Sequence, residues 1–286
     1  MDYVYFTATV ICVWIMMSLA TNLVLGYAGM MSIGHVAYLA IGAYTTGILN
    51  IFFGVPYFVT LPVAVVVTAL AAFLTVIPLL RLSAFYFGLA TLGLNVVIVD
   101  LIHNLAPRVQ GSEGLLGMTL PAVMSDSLWR CAIVALITAL CAFGCRLLVT
   151  SPFGRTLRAL RDAPEALASV GKDPRWYRVA VWTISGSLAG LAGGLYAATL
   201  SYIDPTVFVV LYSFNLLVYI GFGGLVSILG SILGPVILIA FGESLRFTGL
   251  PSEVAGPVQQ ALFALLLILV MLFRRRGLVG TYDLHD

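Results

Sequence analysis

The chain has 286 residues, 61% of them hydrophobic and 9% charged, with a net charge of +2. That balance, with a mean hydropathy of +1.08, excludes an ordinary soluble domain. So slight a positive excess gives no electrostatic case for nucleic acid as a partner.

Residues 3–80 contain no Asp, Glu, Lys or Arg, and further charge-free runs cover 82–99, 179–203, 205–242 and 254–273. A helix needs about 20 apolar residues to cross the hydrocarbon core. The pattern therefore predicts an all-α polytopic membrane protein; a β-barrel would show alternating segments of roughly 10 residues. The opening MDYVYFTATV has neither a positive n-region nor a small-residue cleavage site, and reads as a retained first helix. Spans are predicted near 5–25, 34–53, 58–80, 84–102, 128–149, 179–199, 209–225, 228–245 and 257–273, in one membrane domain over 1–286. The Gly-rich stretches 26–34 and 221–234 read as broken or re-entrant helices, which allows eight to ten crossings. They also resemble each other: Gly26-Tyr-Ala-Gly29-Met-Met-Ser32-Ile33 against Gly221-Phe-Gly-Gly224-Leu-Val-Ser227-Ile228. Transporters built from such repeats place broken helices at the substrate site.

Polar residues inside spans are costly and mark candidate functional positions. In chain order these are Asn22, Ser32, His35, Thr91, Asn95 and Asn215, read as candidates for a translocation path. Each has a structural alternative, since a buried polar group demands a hydrogen-bond partner. Thr91 and Asn95 share a helix face with Ala84 and Gly88, a stripe suited first to helix packing. Gly186, Gly190 and Gly194 repeat the G-x-x-x-G spacing of closely packed helices. The four cysteines fall in apolar spans without metal-ligand spacing, and no catalytic triad or paired carboxylates stand out.

Residues 151–178, SPFGRTLRALRDAPEALASVGKDPRWYR, form a basic island holding six of the fourteen Lys and Arg. Arg155, Arg158 and Arg161 recur every three residues, along one side of a short helix. Asp162-Ala-Pro-Glu165 then reads as the start of a second short helix, with Asp162 as N-cap, Pro164 in the first turn and Gly171 as the residue that ends it. Two turns of helix are not stable alone in water. Either the island docks on a soluble partner, or it is a solvated loop whose cations set topology and touch anionic membrane lipid. With the island in the cytoplasm, alternating spans put eleven of the fourteen cations inside and only Arg108, Arg130 and Arg246 outside. For nine spans that places the N-terminus outside and the C-terminus in the cytoplasm.

Glu165-Ala166-x-x-x-x-Gly171 resembles the EAA loop of bacterial ABC importer permeases. The flanking sequence 151–197 is similar to branched-chain amino-acid permeases of the LivM type, as are Asn22–Tyr44, Arg81–Leu92 and Gly221–Pro235. Leu167 departs from the motif by replacing its second Ala. Gly111-Ser112-Glu113-Gly114 matches the family's outer loop only in part, with Glu113 where Asp or Asn is usual. The resemblance implies an ABC importer permease fold in a bacterial inner membrane. It implies two separate ATPase subunits that bind and hydrolyse ATP, a second permease of the LivH type as heterodimer partner, and a periplasmic substrate-binding protein. Glu165, Ala166 and Gly171 would lie in the helix that docks on the ATPase, with Arg155, Arg158 and Arg161 as flanking contacts. The chain itself would bind no cofactor and catalyse no reaction; it has no G-x-x-x-x-G-K-[ST] loop and a single lysine, Lys172. The expected cargo is a branched-chain or other hydrophobic amino acid, or a related small solute. The alternative is a self-sufficient secondary transporter or channel, which would ordinarily carry ion-coupling charges near the midplane.

Overall fold

The computed structural model describes residues 2–109, 114–200, 202–246, 252–273 and 277–280. Residues 111–113 of the outer-loop motif and the cations at 274–276 lie outside the described residues. The long helices are α1 (Asp2–Asn22, continued by a π-helical turn over Leu23–Tyr27), α2 (Val36–Phe53), α3 (Tyr57–Leu79) and α4 (Ala84–Val109). The short α5 (Ala122–Ser125) precedes α6 (Ser127–Thr150), and the island folds as α7 (Pro152–Asp162) and α8 (Pro164–Ser169). The chain continues through α9 (Pro174–Leu200), α10 (Val210–Gly223), α11 (Ile228–Arg246) and α12 (Ser252–Phe273). β1 (Leu115–Leu116) and β2 (Tyr202–Ile203) form a two-residue antiparallel pair between loops.

Every expected span falls on a helix, and the chain is a multi-pass, all-α membrane protein. The Gly-rich stretch 221–234 is a break between two helices, as its sequence suggests. Among the described residues six helices are long and apolar enough to cross a membrane, and α10 with α11 makes a seventh unit bent by 117°. Hydropathy sees two apolar runs there and not the direction between them. The bend sits at Gly224, whose φ of 112° suits only glycine. The limbs close tightly because Gly223 and Gly234 leave no room for a side chain: an added Cβ would meet Gly230 O at 2.0 Å and Tyr219 O at 2.0 Å respectively.

α1 is buried on every side from Val13 to Asn22 and serves as a central post. α9 packs on α1, α2 and α3. Its glycines set the spacing, as the G-x-x-x-G reading anticipates: Gly186 and Gly190 lie against Ala72 and Thr68 of α3, and Gly193 against the Leu39 carbonyl of α2. The outward faces of α3 and α6 carry exposed Leu70, Leu74 and Ile77, and Leu136, Leu140 and Phe143, which suits them to lipid.

Cross-links define two ends of the bundle. At one, Tyr3 Oη donates to Glu243, Arg130 reaches the Thr199 carbonyl at 3.2 Å, and Asn50 Oδ1 accepts from Thr119 N at 2.7 Å. At the other, α7 and α8 lie under the broken segment that joins α1 to α2.

Candidate functional site

The chain turns sharply from α6 into α7 because Gly154 has no side chain; a Cβ there would lie 2.2 Å from the Val149 carbonyl. Ser151 caps α7 by accepting from Gly154 N at 3.4 Å, with Pro152 in the first turn. α7 is strongly two-sided: Thr156, Leu157 and Leu160 are buried, while Arg155 faces solvent. The three spaced arginines therefore divide their work. Arg158 donates to the Val149 carbonyl at 3.0 Å, near the end of α6 where carbonyls lack helical partners. Arg161 turns inward and donates to the Gly26 carbonyl at 2.8 Å. Its aliphatic stem packs on Gly29, where an added Cβ would meet Arg161 Cγ at 2.5 Å and where φ is 68°.

α8 begins one residue later than its sequence suggests. The residue at its N-cap is Ala163, not Asp162. Asp162 is the last residue of α7, and its carboxylate is held by Arg161 at 2.8 Å, which removes it from capping. Pro164 does occupy the first turn. Gly171 closes the helix as expected, with φ 79°, its N–H donating to Ala168 O at 3.0 Å while Lys172 N donates to Leu167 O at 3.3 Å. Lys172 Nζ donates to Thr156 Oγ1 at 3.0 Å and ties the exit of α8 back to α7. α8 is anchored by Leu167, the residue that departs from the motif, which is 5% exposed. Glu165, Ala166, Ala168 and Ser169 face outward, and Val170 and Trp176 are 71% and 62% exposed. A cavity of about 150 Å³ opens between this loop and the bundle, lined by Met31, Leu80, Phe87, Arg161 and Arg178 among others.

Above the loop, most of the polar positions singled out from sequence converge on the broken segment 23–35. His35 is fully buried, with Nδ1 3.0 Å from Ser32 Oγ and Nε2 2.5 Å from Ser185 Oγ. Ser185 donates in turn to the Ala20 carbonyl at 2.5 Å. The imidazole meets Tyr38 and Trp182 edge-on, and Trp182 Nε1 donates to Tyr38 Oη at 2.9 Å. Thr91 Oγ1 accepts from Ile33 N at 3.1 Å, and Gly34 fits against α4 only without a Cβ, which would lie 1.8 Å from the Thr91 carbonyl. Asn95, with its amide turned to satisfy both ends, donates to Phe208 O at 3.2 Å and accepts from Ala37 N at 3.1 Å. Asn215 stands apart on α10, half-buried and without a hydrogen bond to the described residues. His35, Ser32, Thr91 and Asn95 thus bond neighbouring chain segments.

Asn22 bonds the second Gly-rich segment. Its Nδ2 donates to Ser231 Oγ at 2.7 Å and Ser227 O at 3.1 Å, and its Oδ1 accepts from Val226 N at 3.2 Å. Tyr27 Oη donates to Val226 O at 3.0 Å. Val226 has φ 61°, the one non-glycine residue with positive φ among the described residues. For a β-branched side chain that conformation costs roughly 1–3 kcal/mol and persists only where neighbours enforce it. From the other side, Leu278 N and Val279 N donate to the carbonyls of Phe222 and Gly223, each at 3.0 Å. The two similar Gly-rich segments therefore pack on each other. Residues missed by the sequence reading are Tyr27, Ser185, Val226 and Ser231, together with the buried hydroxyls of Ser18, Thr21, Thr46 and Ser213, which find no partner among the described residues. The repeat was the signal for Tyr27 and Val226; nothing in one sequence marks Ser185. Among the described residues no cluster of His, Cys, Asp or Glu could hold a metal ion.

The family model described as branched-chain amino acid transport system / permease component matches residues 3–273. The high-affinity branched-chain amino acid transport system permease protein LivM of Escherichia coli is 28% identical, covering 95% of this chain and 69% of its own. Its counterpart in Salmonella typhimurium is 29% identical with the same coverage. The probable branched-chain amino acid transport permease protein LivH of Methanocaldococcus jannaschii is 28% identical over 73% of this chain and 69% of its own. No solved structure matches. The chain belongs to the branched-chain amino acid transport system permease family.

Proposed function

We propose that the chain is a translocating subunit of an ATP-driven importer in a bacterial inner membrane. Branched-chain or other hydrophobic amino acids, delivered by a periplasmic binding protein, are its cargo. The observation that carries the reading is α8: six residues of helix, anchored through Leu167, with Glu165, Ala166 and Val170 presented outward. So short a helix gains little from its own hydrogen bonds, and an exposed Val and Trp beside it suit a protein surface better than water. The proposed occupant of that surface is one of two ATPase subunits, which hold the ATP; this chain holds no nucleotide. Arg155 is the arginine free to meet it, whereas Arg158 and Arg161 brace the loop. The LivM and LivH names of the relatives favour a sister permease completing the path. The loop and the C-terminus then lie in the cytoplasm. ATP-driven closure of the ATPases draws on α7 and α8 and shifts the population between inward- and outward-open states.

Glu165→Lys and Gly171→Asp test this. In membranes holding all subunits, each should weaken ATPase co-purification and lower uptake about tenfold, with insertion of the permease unchanged. Gly171 matters through its backbone, since any side chain is strained at φ 79°. Normal ATPase association and uptake in both variants would remove the loop from the mechanism. Uptake by the purified chain alone, driven by an ion gradient, would favour a secondary transporter instead.

A further inference from the structure

The loop read above as the ATPase dock is joined to the α10–α11 pair by two sets of hydrogen bonds that meet on one turn of chain, Asn22–Tyr27. Arg161 of α7 holds the Gly26 carbonyl. Gly26 lies on the same turn as Asn22, so close that a Cβ at Gly26 would sit 2.0 Å from Asn22 Oδ1 and 3.0 Å from Val226 N. Asn22 spans the bend of α10–α11 with both ends of its amide, and Tyr27 holds the carbonyl of the same Val226. We propose that Asn22 and Tyr27 form a latch on the bend at 224–227, and that movement of α7, passed through Arg161, closes and releases it. The α10–α11 pair is then the moving part of the permease, with Asn22 and Tyr27 as positioning residues. The proposal rests on the reading that α7 and α8 receive the force of the ATPases.

Three features distinguish a latch from a fixed weld. The Val226 backbone is held in a conformation its side chain disfavours, and both of its peptide groups are gripped by the latch residues. Release of the grip lets the turn at Val226 relax, while Leu278 N and Val279 N still hold the α10 side of the bend. Gly224 supplies a hinge, and the limbs meet through Gly223, Gly230 and Gly234, backbone against backbone, with no interlocked side chains at those points to resist sliding. Finally, Asn22 is one side chain engaging three groups of the bend, so a small shift of its turn breaks all three bonds together. Coupling between distant sites needs an element with two arrangements that both sites bias, the role the latch assigns to this bend.

The experiment uses the transporter assembled from both permeases, the ATPases and the binding protein, reconstituted in liposomes. Asn22→Leu keeps the branching at Cγ and removes the bonds; Tyr27→Phe removes only the hydroxyl. Solute imported per ATP hydrolysed should fall about tenfold in the first and by less in the second, with the ATPases still bound. Val226→Gly relieves the strain while keeping the backbone groups that the latch grips. Added to Asn22→Leu it should restore part of the loss, which a merely structural defect at Asn22 would not permit. Spin labels at Trp129→Cys of α6 and Leu229→Cys of α11, in a chain with its four native cysteines replaced, report the placement of α11 against α6. Asn22→Leu should broaden that distance distribution in the permease alone, and Val226→Gly should narrow it again. Unchanged distances and unchanged import per ATP in both Asn22→Leu and Tyr27→Phe would overturn the latch. Should Asn22→Leu fail to fold, Tyr27→Phe and Val226→Gly decide the matter. Failure of the wild-type chain to bind ATPases would defeat the proposed function and the latch together, a result distinct from the preceding one.

Discussion

Gly42→Ala is expected to lower the thermal unfolding midpoint of the purified protein sharply. The new Cβ would lie 2.2 Å from the Gly190 carbonyl oxygen and 2.6 Å from Gly190 Cα. Both walls are backbone, so no side chain can rotate away, and α2 and α9 must part along their length. Overpacking of a close-packed interior costs roughly 1–3 kcal/mol, and separation of a whole seam belongs at the upper end of that range. Gly144→Ala is the control. It lies in α6 with nothing within 4 Å of the added methyl, and Gly to Ala inside a helix ordinarily stabilises by roughly 0.5–1 kcal/mol. The two variants make the same chemical change and should move the midpoint in opposite directions. Equal midpoints would mean that the α2–α9 contact is looser than described.

His35→Leu is expected to cost on the order of 3 kcal/mol and to lower uptake together with stability. The leucine fills the space but abandons Ser32 and Ser185, both buried, and loses the edge-on contacts with Tyr38 and Trp182. Both ring nitrogens are occupied by hydroxyls, which favours a joint between α2, α9 and the broken segment over a free group facing the solute. The discriminating measurement is the pair of readouts. Lost uptake with an unchanged unfolding midpoint would restore His35 to the translocation path.

The helices were legible because charge is excluded from the bilayer core, and charge-free runs leave a plain trace in composition. The angle between two runs leaves none, so 209–225 and 228–245 looked like independent crossings while their glycines hinted at a break. The island shows the same division. Gly171 was readable because a helix end needs a left-handed residue. Asp162 misled because its carboxylate had two possible uses, and the neighbouring Arg161 took it. Arg161 itself looked like Arg155 in spacing and type; only the fold turned one inward and left the other in water. Leu167 appeared as a flaw in a motif and proves to be the side chain by which α8 is anchored. Asn22, Ser32 and His35 stand out as polar residues in apolar sequence, but a hydrogen-bond partner 150 or 205 residues away cannot be inferred from one sequence.

Lys172, the one lysine of the chain, sits at the exit of α8 with its ammonium resting on Thr156. Amine-selective reagents, which ordinarily scatter over a protein, therefore have a single side-chain target here. The residue is exposed and its tie is one hydrogen bond to a hydroxyl, so acylation or a fluorophore can be introduced without engineering. The reaction rate at that amine becomes a native gauge of whether the loop is covered, readable by mass spectrometry in intact membranes as subunits are added or nucleotide is exchanged.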